Sequence, residues 1–196
     1  MNTQKLVLIG IIILLSTAVF AQGKDSRFSF ELNTGPAFSV SELGGSQLNP
    51  GFGFESIFHI RFFPHTSVYA GWGWNRITTN ESLPGSDICF EETGYIMGLQ
   101  FMHPLSDSRF SYYLRAAALY NHIETENAEG DIISDSEHGF GYQLGCGVAY
   151  RIRGNWQLTA GMKYNSLTRD SQFENTSKIL EYKYISGIRV GFVKQF

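Results

Sequence analysis

Three groups of side chains in this sequence are of a type that does chemistry. His65, Thr66 and Ser67 set an imidazole two residues from a hydroxyl, the pairing in which a base activates a nucleophile. No positioned carboxylate supplies the third group that would orient the imidazole, and the three residues stand in a short turn. His122 and His138 are close enough in sequence to join Glu124 or Glu137. Nothing pairs these imidazoles with a nucleophile, so they read as hydrated histidines near the end of a strand. The third group is the run "ETENAEGDIISDSEHG", which carries Glu124, Glu126, Glu129, Asp131, Asp135 and Glu137. Hard cations take such oxygen ligands, but the spacing is not that of an EF-hand loop, and a charge run of this kind reads as a solvated surface. On these grounds no catalytic residue, metal site or cofactor is expected.

A different set of charges is scattered singly. Glu31, Glu55, Arg61, Arg115, Lys163 and Arg189 each stand among glycines and apolar residues. What positions them is a period of two. Phe52, Phe54, Phe58, Ile60 and Phe62 alternate with Gly53, Glu55, Ile57, His59 and Arg61. Tyr112, Leu114, Ala116, Ala118 and Tyr120 alternate with Tyr113, Arg115, Ala117, Leu119 and Asn121. The same pattern recurs to the final "GIRVGFVKQF", where Ile188, Val190, Phe192 and Phe196 oppose Arg189, Gly191, Val193 and Gln195. Successive strand side chains point to opposite faces, so these runs predict eight strands and no helix between them.

The connections alternate in length. Short ones fall at 63–67, 103–109 and 152–154, and longer polar ones at 35–50, 78–87, 124–137 and 168–178. This alternation predicts an up-and-down antiparallel sheet with every short turn at one end. Ahead of it, Lys5 and the apolar stretch from Leu6 to Leu15 lead to small-residue positions at Val19 and Ala21. That is the layout of a secretory signal peptide over 1–21, leaving one domain over 22–196. Beyond it no apolar run approaches the roughly 20 residues a membrane helix needs. The net charge of -3 gives no basic field for nucleic acid. The two cysteines, Cys89 near a loop and Cys146 within a strand, read as free thiols.

Two closed eight-stranded barrels fit such a chain: a soluble lipocalin-like binder, apolar inside, and a membrane barrel, apolar outside. The composition of the two faces decides between them. One face holds nearly all the large aromatics; the other holds the strand glycines and the isolated charges. A narrow eight-stranded interior fits glycine with a few long charged groups, and large rings pointing inward would overfill it. The glycine face is therefore expected to be the lumen, with Glu31 and Glu55 paired to Arg61, Arg115, Lys163 and Arg189. Phe62, Trp72, Trp74, Tyr112, Tyr150 and Trp156 suit the aromatic girdles at the two interfaces.

With these features the chain resembles the small outer-membrane β-barrel proteins of the OmpA/OmpX type. The carriers are "SVYAGWGW", "GYIMGLQF", "YYLRAAALYNHIE", "HGFGYQLGCGVAYRI" and the terminal "GIRVGFVKQF". The resemblance implies an eight-stranded antiparallel transmembrane barrel in the outer membrane of a Gram-negative bacterium, surrounded by lipid and lipopolysaccharide. It implies that Gly187, Val190, Phe192 and Phe196 form the signal read by the barrel-assembly machinery. It further implies a non-enzymatic scaffold that displays polar loops for envelope structure, adhesion or contact with a surface protein. Some similar barrels act on lipid A through a His-x-Ser pair; here His65 and Ser67 have that spacing at the wrong end of the barrel. Strands flanking 168–178 are long enough to stand above the membrane, with edges open to an added strand.

Overall fold

The computed structural model describes residues 26–42, 48–82, 85–173 and 176–196, so the expected signal peptide lies outside the described residues. The strands are β1 (Phe28–Ser39), β2 (Gly51–Phe63), β3 (Thr66–Ser82), β4 (Gly85–Pro104), β5 (Phe110–Glu126), β6 (Ile132–Asp135), β7 (Gly139–Arg151), β8 (Trp156–Phe173) and β9 (Thr176–Gln195). Eight of them follow one another as antiparallel neighbours, and pairing of β1 with β9 and of β4 with β5 closes the sheet into a barrel. Closure matters because a sheet in hydrocarbon must leave no edge with unpaired backbone groups. At the β1–β9 seam the Phe196 N–H donates to the Phe28 carbonyl at 2.8 Å.

The faces are as the glycine and aromatic patterns predict. Phe140 is 77% exposed, Met97 65% and Phe192 56%, whereas Glu31, Glu55 and Lys163 are 1%, 3% and 6% exposed. Rings outside and charges inside is the arrangement of a barrel solvated by lipid. On β5 the outward apolar band runs from Phe110 to Tyr120, which matches the roughly 9–11 residues that cross a bilayer.

Two expectations are corrected. The polar segments at 78–87 and 168–178 are mainly strand, and those at 35–50 and 124–137 are strand in part. β1 continues to Ser39, β3 and β4 meet across Ser82 and Gly85, and β8 and β9 pair up to Phe173 and Thr176. The segment 124–137 holds a ninth strand, β6, which pairs with the top of β5. Cys89 accordingly lies inside β4 and is buried, while Cys146 is exposed on the outer wall, and both are free thiols.

The reason is an inversion of polarity along the strands. Beyond Trp74, Tyr95 and Tyr120 the outward positions become Arg76, Glu91, Glu124 and Glu126, and the inward ones become Ile77, Ile88, Phe90 and Ile123. Leu167 and Tyr182 join the same buried cluster. Above the lipid the barrel is thus apolar within and charged without, because its surroundings have changed from acyl chains to water.

One strand needs a correction in its backbone to keep both regimes. On β9, Arg189 lies opposite Gly161 but Ser186 lies opposite Lys163, and the β1 ladder shifts at the same place. Gly187 and Ile188 therefore share the single partner position of Met162, a β-bulge. The even-numbered Val190 below the bulge is 41% exposed, yet the even-numbered Tyr182 above it is 2% exposed inside.

Candidate functional site: the charged interior and the upper rim

The interior is built in tiers. At the short-turn end a vestibule of about 240 Å³ is lined by Arg27, Arg61, Arg151, His59, Gln100 and Gln157 among others. Above it Glu31 of β1 takes Arg115 of β5 at 2.5 Å and His59 of β2 at 3.2 Å. Arg115 also donates to Gln100 at 2.7 Å, and its guanidinium lies over the rings of Tyr113 at 4.6 Å and Tyr69 at 5.7 Å. The next tier is Glu55 of β2, which accepts from Lys163 of β8 at 2.5 Å and from Gln143 of β7 at 2.9 Å. A cavity of about 20 Å³ separates the two tiers, roughly the room one water occupies.

A third tier follows. Arg189 donates to the Gly53 carbonyl and to Asn75 Oδ1, both at 2.7 Å. Asn75 donates to Glu92 at 3.0 Å, and Asn121 donates to the other oxygen of the same carboxylate. Arg169 closes the series with a 2.7 Å bond to Asn121 Oδ1 and four further bonds to the carbonyls of Asn121, Phe140, Thr168 and Gly139. Each carboxylate thus meets cationic or amide donors, which is what lets charges sit in a low-dielectric interior.

Of the interior charges expected from the sequence, Glu31 and Arg115 come together, as do Glu55 and Lys163. Arg189 lies one tier higher on amide and carbonyl oxygens, and Arg61 lines the vestibule. Sequence reasoning missed Glu92 and Arg169. Glu92 continues the inward parity of Gly94 and Gln100, so that signal was present; Arg169 stood in a segment assigned to a loop. Among the assembly-signal residues, Val190 and Phe192 face outward, Phe196 is half-buried and Gly187 is in the bulge.

The rim carries the other candidates. Glu124 and Glu126 lie on β5 and Asp135 on β6, while Glu129, Asp131 and Glu137 occupy the flanking turns. Asn127 Oδ1 accepts the N–H groups of Glu129 and Asp131 at 3.1 and 2.8 Å, which folds the β5–β6 turn. Arg76 bridges Glu91 at 3.0 Å and Glu126 at 3.4 Å. Trp74 donates to Glu91 at 3.0 Å from the edge of the lipid band. His122 Nδ1 is 2.9 Å from Asp135 and 3.9 Å from Glu124, and its ring stacks on His138 with centroids 4.3 Å apart. At the opposite end His65 donates to the Met102 carbonyl at 3.1 Å and its ring lies tilted against His103, with centroids 4.5 Å apart. No carboxylate pairs with it among the described residues, so the His65–Ser67 spacing does not assemble a triad.

Residues 7–196 match the family described as outer membrane protein beta-barrel domain. The chain belongs to that family. Protein opa of Haemophilus influenzae is 31% identical over 88 residues, which is 44% of this chain and 69% of that protein. Among solved structures, Neisserial surface protein A aligns at a TM-score of 0.61 with 20% identity, covering 87% of this chain and 98% of that one. Outer Membrane Protein W of E. coli aligns at 0.54 with 14% identity, covering 89% and 100% respectively. At such identities these two bear on the fold, and they are barrels of the same kind. The family places this barrel in the Gram-negative outer membrane. Its short turns then face the periplasm and its long hairpins the cell exterior.

Proposed function

We propose that the protein is a non-enzymatic scaffold that holds charged β-hairpins above the outer membrane and passes no solute through its interior. The observation that carries this is the crossing of the lumen by Glu31–Arg115 and Glu55–Lys163, with a cavity of only about 20 Å³ between them. The apolar cluster of Ile77, Ile88, Phe90, Ile123, Leu167 and Tyr182 supports the same reading from above. Reconstitution into planar bilayers is expected to give no large, steady conductance step; such a step would overturn the closed interior.

The non-enzymatic reading rests on the described residues, among which no nucleophile is paired with a base. The Ser136 hydroxyl near the rim accepts the Ile123 N–H at 2.9 Å and donates to the Glu137 carbonyl at 3.2 Å, so it is engaged with backbone. The lipid A of cells expressing the protein is expected to keep its mass.

The function then belongs to the raised hairpins. Among the described residues β9 pairs with β1 up to about Lys183, through Ser39 and Val40, and β3 with the β2 side up to Thr78. The raised β3–β4 and β8–β9 hairpins are the surface that a partner protein would meet, by adding a strand at a hairpin edge. Shortening the β8–β9 hairpin within 168–183 should abolish capture of such a partner by whole cells, and undiminished capture would refute it. In this reading residues 1–21 direct export, the terminal Val190, Phe192 and Phe196 address the chain to the assembly machinery, and lipopolysaccharide surrounds the outer girdle.

A further inference from the structure

Glu91, Glu124 and Asp135 form a row across three strands on the outer wall. Glu91 is directly opposite Glu124 in the β4–β5 ladder, and Glu124 is directly opposite Asp135 in the β5–β6 ladder. Like charges placed directly opposite one another destabilise a sheet. Arg76 answers Glu91 and Glu126. The group beside Glu124 and Asp135 is instead the imidazole of His122.

One imidazole nitrogen and two carboxylates thus converge from two strands, with all three ligand atoms within 4.8 Å of one another. Ligand bonds of about 2.0–2.2 Å at tetrahedral angles put two donor atoms about 3.4 Å apart around zinc. The observed separations from His122 Nδ1, 2.9 Å to Asp135 and 3.9 Å to Glu124, bracket that value, and the two carboxylates lie within 4.8 Å of each other, so side-chain rotation would bring the three donors around one ion. The Asp135 Oδ1 that faces His122 also accepts the Glu137 N–H at 3.1 Å, which orients the carboxylate. Such outer hydrogen bonds are what orient a metal's carboxylate ligands. The His138 ring, stacked on His122 at 16° between planes, fixes the imidazole and brings a second one to the same place. Asp135 is half exposed, which leaves a route for the ion.

We propose that His122, Glu124 and Asp135 bind a zinc ion that clips β6 onto β5 immediately above the outer edge of the lipid. An imidazole in the donor set selects zinc and its transition-metal neighbours over calcium and magnesium. The pair His65–His103, 4.5 Å between centroids with the rings tilted by 54° and with no carboxylate partner among the described residues, is the internal control.

The experiment titrates the full barrel, refolded in detergent micelles, with Co²⁺ as a spectroscopic probe and then displaces it with Zn²⁺. One equivalent of Co²⁺ is expected to develop visible bands of a low-coordinate site, and one equivalent of Zn²⁺ to abolish them. His122→Ala should weaken binding by at least about tenfold and Asp135→Asn should weaken it too, while His103→Ala leaves it unchanged. Zinc should also slow proteolytic cleavage in the 127–131 turn. Folding of every variant is checked by its heat-dependent gel mobility, and Glu124→Gln serves if His122→Ala does not fold. A spectrum no different from aqueous cobalt, or full binding by the folded variants, overturns the proposal.

Discussion

Replacing Lys163 by Met isolates what an interior ion pair contributes. Glu55 would keep its bond from Gln143 but lose its nearest cation inside a wall where it is 3% exposed. A buried charge stripped of its partner costs about 3–5 kcal/mol. Lys163→Met should therefore unfold at distinctly lower urea in lipid vesicles, and adding Glu55→Gln should restore most of the loss. A double variant as unstable as the single would show that packing, rather than charge, is responsible. The glycines of the lumen have an equally local cause. The Tyr113 hydroxyl sits 2.5 Å from where a Cβ on Gly147 would be, so the two adjoining strands leave room for that ring by lacking side chains. Both the charges and the glycines were visible as one face of a period-two pattern. Which carboxylate meets which cation was not, because partners such as Glu55 and Lys163 lie 108 residues apart.

At the scale of the strand, the inner and outer walls exchange polarity where lipid gives way to water. Ile123→Ala removes a side chain that is 1% exposed within the upper cluster. Truncation of that kind costs roughly 2–5 kcal/mol, and here it should fall on the hairpins above the membrane. Hydrogen exchange should accelerate around 77–90 and 119–126 while the lipid-facing segments stay protected; uniform acceleration would show that the two halves unfold as one. The β9 bulge gives a second check. Deleting Gly187 removes the extra residue, so the barrel can keep Arg189 inside or Tyr182 inside, but not both in their present register. A lower temperature for the gel-mobility transition is expected, and an unchanged one would mean the bulge is dispensable. The eight membrane-crossing strands were readable because aromatic and glycine alternation is strong there. The strand extensions within 78–87, 124–137 and 168–178 were misread as loops. From Trp74 to Ile77 or from Tyr120 to Ile123 the apolar positions change parity, which on paper looks like a pattern that has stopped.

For the whole molecule, the orientation of the wall is the claim on which the rest depends. Its three tryptophans, Trp72, Trp74 and Trp156, belong to the outward-facing set. Brominated phospholipids should quench their fluorescence strongly in reconstituted vesicles, and an aqueous quencher should do so weakly. The reverse result would turn the barrel inside out.

The seam between β1 and β9 carries one more implication. Glu31 and Glu55 lie on β1 and β2 while their cations lie on β5 and β8, so each pair reaches across the barrel. Before the ring is complete these groups sit on an open ribbon and must remain wetted, and the ribbon's margins cannot enter oil with their amides unsatisfied. Dehydration of the charges, zipping of the two margins and passage into the bilayer are therefore bound into a single late event. Biogenesis of this protein needs a site where water and lipid are both at hand until β9 finds β1.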